Sequence, residues 1–398
     1  MIKRIGIVCS YPIPEGMAAT TRIMAYSKGI VQQGAKVDVF SYVPSGESFS
    51  SSYNNEGFFQ GVFYCYPFRR KRLKNRFLHK AESIYSIALT LRAIRRRNYQ
   101  EPYEAIIISN DNPFILYCFS KFAKSIGTKS IFIFDEYPIP IRKYLKNNIS
   151  YLKTLGYKFT LKNVDGYITM TQNLANFYCK LKPKPFFLVS SITDIDRFTK
   201  TPELPASKKK RITYMGNMEL SKDNVDNIIR AFAFLASKRD DIELYLYGNP
   251  TPQDKKYLIN LSKTLRVESK VFFGFAEFNK VPDLLANSQI LVSSQPKTKR
   301  AEGGFPTKLG EYLATGVPVL LTNVGEISKF VKHKEHVFFS NPEDPEDFAN
   351  ELQWILANYS FAKEVGSRGK EVVLKKYSHI TAGKGILNFI KYLNQKDA

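Results

Sequence analysis

Ile290-Leu291-Val292-Ser293 is followed, after a polar loop, by Arg300-Ala301-Glu302-Gly303-Gly304-Phe305-Pro306-Thr307-Lys308-Leu309-Gly310-Glu311-Tyr312-Leu313-Ala314-Thr315-Gly316-Val317-Pro318-Val319-Leu320-Leu321-Thr322. The reading is strand, loop, helix, strand. The first four residues are an apolar run of strand length. Two glycines, Pro306 and Thr307 then open a short helix over Lys308–Thr315, and Gly316-Val317-Pro318 stops it. Val317–Thr322 is a second apolar strand. Continuous apolar runs flanked by helices are how parallel strands covered on both faces read.

The same rhythm extends in both directions. Before this stretch come strand Arg211–Met215, a helix near Asn224–Ser237, strand Ile242–Tyr247, helix Gln253–Leu265 and strand Lys270–Phe273. After it come helices near Pro345–Tyr359 and Phe361–Tyr377, and a last helix over Ser378–Leu393. The N-terminal half alternates likewise: Ile5–Cys9, helix Thr20–Gln33 ending at Gly34, Lys36–Ser41, Ala105–Ser109, helix Pro113–Ile126 stopped by Gly127, Ser130–Phe134, Asp165–Met170 and a helix near Gln172–Cys179. Between Ser191 and Lys210 the chain is polar and aperiodic, with two prolines, which is linker composition. The expected fold class is therefore α/β, with two Rossmann-like doubly wound domains of similar size. Residues 1–192 form the N-terminal domain, 193–210 a linker and 211–377 the C-terminal domain, followed by a final helix in 378–398. Ligands of such sheets bind at the carboxyl ends of strands, so the domains are expected to face each other across a cleft that holds the site.

Composition narrows the class. The 398 residues are 44% hydrophobic and 24% charged, normal for a globular chain and unlike a disordered or collagenous one. Lys plus Arg number 59 against 36 Asp plus Glu, a net charge of +23 that favours anionic partners such as phosphates or an acidic membrane face. Cys9, Cys65, Cys118 and Cys179 are scattered without a CxxC pair, which argues against a zinc site or a disulfide framework. No apolar stretch reaches the roughly 18 residues of a spanning helix, and the first ten residues read as a strand, not a secretory signal. The expected location is cytoplasmic. His79, His333, His336 and His379 show no catalytic spacing.

The informative residues follow strands. After the first strand, Gly16 lies in a loop of small residues leading into a helix, whose free amides suit a phosphate. Taken alone, an ordinary strand-to-helix turn that needs Gly16 for backbone freedom is the better reading. Gly216 permits a tight turn after Arg211–Met215, and Lys222 stands near the next helix start, where a lysine is unfavourable unless an anion lies between. Lys308 makes the same argument in the first turn of its helix. Glu311, one turn on, is placed to accept hydrogen bonds from a vicinal diol such as ribose.

On these residues the chain resembles a GT-B glycosyltransferase of the family 4 type, the retaining, nucleotide-sugar-dependent class. The resemblance covers nearly the whole length. It rests on Gly216 with Lys222 six residues on, on Phe305–Ala314 with Gly316-Val317-Pro318, on Thr322–Ile327, on the Gly16 loop and on Thr171–Leu174. It implies that Lys222 neutralises a donor diphosphate, that Gly304, Phe305, Pro306 and Thr307 bind phosphate oxygens, and that Glu311 holds the ribose. Gly16, Asn217, Lys308 and Phe275 complete the expected donor site. It also implies a last helix that packs back on the N-terminal domain. The family often has an arginine where Asn217 stands and a glutamate where Gly303 stands, and Lys308 is expected to supply the charge that Asn217 lacks.

Retention of anomeric configuration by front-side attack follows from the resemblance. No metal and no further cofactor are expected, since lysines and helix N-termini can stabilise a leaving diphosphate. Lys222, Glu311 and Glu136 are the expected catalytic residues. Acceptor contacts are expected from Asn110 and Asp111 after Ala105–Ser109, and from Glu136 and Tyr137 after Ser130–Phe134. A helix N-cap explains Asp111 or Asn112 equally well. The run from Arg69 to Arg97 interleaves cations with Phe68, Leu73, Phe77, Tyr85 and Ile87, as an amphipathic membrane-surface element does. The expected partners are a nucleotide-sugar donor, a glycan or polyprenyl-linked acceptor and an anionic membrane on its inner face, with no nucleic acid. A transferase of cell-surface polysaccharide or glycolipid synthesis is the first reading. A GT-B epimerase and a non-catalytic nucleotide-sugar-binding or scaffolding protein are the alternatives.

Overall fold

A computed structural model describes residues 2–16, 18–44, 53–70, 76–144, 146, 148–199 and 209–396, the side chains of 76–81 and 83 excepted. Half of the expected linker, residues 200–208, and part of the basic run, residues 71–75, lie outside the described residues. The chain divides into two units, 1–192 with 378–398, and 193–377.

The first unit holds an eight-stranded sheet of β1 (Arg4–Cys9), β2 (Lys36–Ser41), β3 (Glu56–Phe59), β4 (Val62–Cys65), β5 (Ala105–Ser109), β6 (Lys129–Phe134), β7 (Gly166–Thr169) and β8 (Phe186–Leu188), in the order β3-β4-β2-β1-β5-β6-β7-β8. All neighbours are parallel except β3 and β4, an antiparallel edge pair. β1 and β5 are buried along their whole length, as strands covered on both faces must be. Alternate residues feed two core layers. Ile5, Ile7, Val39 and Ile107 meet the helices Ala18–Val31 and His379–Gln395, whereas Val8, Phe40, Ile106 and Ile108 meet Leu116 and Phe119 of the helix Pro113–Ser125. The helices Ala18–Val31 and His379–Gln395 cross at backbone contact. A Cβ on Gly29 would overlap the His379 carbonyl oxygen, so any side chain there would force them apart.

The second unit is a parallel six-stranded sheet of β9 (Lys210–Met215), β10 (Ile242–Tyr247), β11 (Val271–Gly274), β12 (Ile290–Ser293), β13 (Val319–Thr322) and β14 (Phe338–Ser340), in the order β11-β10-β9-β12-β13-β14. The helices Val225–Ala236 and Pro345–Ala357 pack together over one face through Ile228, Phe232, Leu352 and Ile355. In each sheet the strand order reverses once about its first strand. The crevice at that switch point lies beyond β1 and β5 in the first unit, and beyond β9 and β12 in the second.

Candidate functional site

In the second unit, the helix Thr307–Thr315 is tied to both switch-point strands by one side chain. The Tyr312 hydroxyl accepts from the Met215 amide at 2.7 Å and donates toward the carbonyls of Met215 at 3.1 Å and Val292 at 3.4 Å. This carries the start of that helix, where Pro306 provides no side-chain cap, to the ends of β9 and β12. A crevice beneath it is lined by Ser293, Gln295, Pro306, Lys308, Tyr312 and Thr322.

Charges gather at this helix start. Lys308 Nζ donates to Asp223 at 2.6 Å and to the Tyr214 hydroxyl at 3.2 Å, and it lies 4.4 Å from the Tyr214 ring centroid. Burial by itself would raise the Asp223 carboxyl, but the adjacent ammonium outweighs it and holds the group below the usual carboxylate range. Lys222, beside Asp223 in the helix Leu220–Asp223, also favours the Asp223 carboxylate and disfavours the Lys308 ammonium, so the three charges share one spot. Among the described residues no carboxylate pairs with Lys222, so one positive charge remains uncompensated at the helix start. The anion that a lysine at a helix start calls for is thus, for Lys308, Asp223 of the chain itself. Lys308, expected to supply the charge that Asn217 lacks, is paired with that carboxylate.

Gly216 is required by space. A Cβ there would lie 2.5 Å from Lys308 Nζ and would also overlap the Tyr214 hydroxyl, so the turn after β9 passes directly over the buried ammonium. Glu311 accepts from Arg197 at 2.8 Å. Arg197 also donates to the Phe278 carbonyl at 2.9 Å and stacks 3.8 Å from that ring's centroid. Burial pushes the Glu311 carboxyl up, and Arg197 only partly offsets it. Among the other expected donor residues, Asn217 and Thr307 are exposed and Phe275 stands exposed beyond β11. Phe305 is buried with its ring edge-on to Phe330 at 5.1 Å, so its backbone, not its side chain, is what a ligand could meet. Glu302, the neighbour of Gly303, turns to Lys299 at 2.6 Å.

The first unit assembles a second polar cluster beyond β1, β5 and β6. Arg142 pairs with Glu136 and lies 3.5 Å from Asp111. Arg22 lies 3.0 Å from Asp135 and donates to the Val189 carbonyl at 2.6 Å. Burial raises the Asp135 carboxyl, and Arg22 partly restores it. Asn110 donates to the Tyr42 hydroxyl at 2.6 Å and its own oxygen accepts from the Asn112 amide at 2.7 Å. The N-cap of the following helix is Asn112, which accepts from the Phe114 amide at 2.9 Å, leaving the Asp111 carboxylate to Arg142. Gly16 is needed for packing, since a Cβ would lie 2.8 Å from Pro12 and 2.9 Å from Thr20 Oγ1. Tyr137 is buried with its ring edge-on to Phe177 at 5.2 Å. Sequence alone does not single out Asp223, Tyr214, Tyr312, Arg197, Arg142 or Arg22. Only Asp223, adjacent to Lys222, and Tyr312, adjacent to Glu311, carry a local signal.

Part of the basic run is structural. Arg69 pairs with Glu82; buried Arg70 donates to the Ile13 carbonyl at 3.0 Å; Arg97 pairs with Asp38 at 2.8 Å. Arg92, Arg95 and Arg96 remain exposed. No helix is long and apolar enough to cross a membrane among the described residues.

Residues 196–372 match the family model described as glycosyl transferases group 1. An uncharacterized glycosyltransferase of Methanocaldococcus jannaschii is 26% identical over 184 residues, 46% of this chain and 45% of that protein. The chain spans less than half the length of the curated relatives it matches. Among solved structures, sucrose-phosphate synthase from Thermosynechococcus elongatus superposes with a TM-score of 0.75 at 15% identity, over 99% of this chain and 100% of that one. Anabaena HepE, solved in complex with UDP, superposes with a TM-score of 0.71 at 13% identity, over 98% and 100%.

Proposed function

From a chain whose residues 196–372 match the model of group 1 glycosyl transferases and whose fold is that of GT-B glycosyltransferases, we propose a transferase that moves a sugar, with retention, from a nucleoside-diphosphate sugar to a glycan or polyprenyl-linked acceptor. It works in cell-surface polysaccharide or glycolipid synthesis, peripherally on the inner face of an anionic membrane. The observation that carries the reading is the convergence of Lys222, the Lys308–Asp223 pair, Glu311 and the start of the helix Thr307–Thr315 beyond β9 and β12.

The chemistry follows from that arrangement. The anomeric carbon–oxygen bond to the diphosphate breaks while the acceptor oxygen bonds the same face, and the acceptor proton passes to the departing phosphate oxygen. Charge therefore grows on the diphosphate. Lys222 and the amides at Gly304–Thr307 stabilise it more in the transition state than in the ground state. Lys308, neutralised by Asp223, holds the Gly216 turn and Lys222 in place. Glu311 accepts from the ribose hydroxyls, and Arg197 orients its carboxylate. Asn110, Asp111 and Glu136 receive the acceptor, with Arg142 orienting both carboxylates. Asn217 and Phe275 remain rim contacts to the donor, and no metal or further cofactor has a part.

The test is a thermal-shift panel of UDP-, GDP- and ADP-sugars, followed by assay of nucleoside-diphosphate release. One donor at about 100 times its Kd stabilises the protein by about 2.7 kcal/mol. That donor is then slowly hydrolysed, and faster with acceptor. A donor that binds but is never turned over would establish the scaffolding role instead.

A further inference from the structure

The helix Tyr151–Thr160 is amphipathic in the wrong sense for a water-facing element. It buries Tyr157 and Thr160, and its apolar stripe faces out: Tyr151, Leu152, Leu155 and Phe159 are 75%, 79%, 43% and 58% exposed. At 3.6 residues per turn these four span an arc of about 100°. Phe114, beside the Pro113 that this helix packs on, is also exposed, and Tyr117 stacks on Phe159 with centroids 5.3 Å apart. A contiguous exposed apolar patch marks an interaction surface.

Its charge identifies the partner. Residues 143–164 include Lys143, Lys146, Lys153, Lys158 and Lys162 and no Asp or Glu. The adjoining helix Pro113–Ser125 adds Lys121 and Lys124, again without an acid. A protein partner is recognised through charges of both signs, whereas an apolar stripe within lysines alone complements an anionic bilayer. We propose that this face docks on anionic lipid, with Tyr151, Leu152, Leu155 and Phe159 among the headgroup–acyl boundary and the lysines on the headgroup charge. The proposal rests on the transferase reading and deepens it by locating the membrane contact. It differs from the basic run, where Arg69, Arg70 and Arg97 are held within the protein.

The inner side of the same helix reaches the acceptor cluster. The Tyr157 hydroxyl donates to the Asp111 carbonyl, and Thr160 donates to the Pro113 carbonyl at 3.1 Å. A docked helix therefore holds the loop after β5 about one helix diameter, roughly 10 Å, from the lipid surface.

Flotation of the full chain with vesicles of phosphatidylglycerol and phosphatidylcholine tests this. The protein co-floats with mixed vesicles and not with pure phosphatidylcholine. The Leu152→Ser/Phe159→Ser variant partitions about tenfold less at unchanged melting temperature. The Arg92→Ser/Arg95→Ser/Arg96→Ser variant keeps most of its binding. Undiminished flotation of Leu152→Ser/Phe159→Ser overturns the proposal. So does a wild-type dimer, seen by light scattering without vesicles, that this variant dissociates. Donor stabilisation in the thermal-shift assay is unaffected by these substitutions, so its absence in wild type overturns the transferase reading while the flotation result stands by itself.

Discussion

Lys308 Nζ lies 2.6 Å from the Asp223 carboxylate, joining the helix Thr307–Thr315 to the helix Leu220–Asp223 beyond the ends of β9 and β12. Their side chains are only 14% and 1% exposed, so neither charge can be left to water if the other is lost.

Asp223→Asn leaves a buried ammonium and is expected to destabilise the second unit by about 3 kcal/mol, read as a lower melting temperature. The pH dependence has a definite sign. The folded pKa of Asp223 lies below the ordinary aspartate value of 3.8, so the pair's contribution is present above about pH 4 and is lost as pH falls through the folded value. In the Asp223→Asn variant that acid-limb loss should shrink. Equal melting temperatures of wild type and variant at pH 7 would contradict the buried pairing.

Arg197→Met tests the orientation of Glu311. Burial already raises the Glu311 carboxyl, and Arg197 opposes that rise. Removing the guanidinium raises the pKa further, so the pH below which donor affinity weakens should move upward. Affinity at pH 8 should change less than at pH 6. An unshifted pH profile, measured by calorimetric titration of the donor from the panel, would show that Glu311 does not act as a carboxylate there.

Much of this is legible in the sequence. β5 and β12 are buried on both faces, which demands unbroken apolar runs, and local pattern reveals such runs. The hairpin of β3 and β4 leaves no such mark, because β3 is an exposed edge strand with little to bury. The helix Tyr151–Thr160 escapes a reading for core-facing periodicity because its apolar stripe faces solvent, with Gly156 interrupting it. At the site, Lys222, Lys308 and Glu311 stand out as charges near helix starts. Arg197 does not, since its partner is 114 residues away in the chain.

Glu136→Gln should lower kcat with acceptor about tenfold, the loss of one hydrogen bond to a charged group, while donor affinity stays within about twofold. Arg142→Met should follow the same split, since Arg142 orients both Glu136 and Asp111. A fall in donor affinity of similar size in either variant would place these residues in the donor site instead.

Calorimetric titration of Lys222→Ala with the sugar nucleotide identified by the panel tests the central claim most directly. Lys222 has no carboxylate partner among the described residues, so its removal should leave the fold intact. One charge-assisted contact to a diphosphate corresponds to about 2 kcal/mol, or about 30-fold in Kd. A Kd equal to wild type in a normally folded variant would contradict a diphosphate held at the start of the helix Thr307–Thr315.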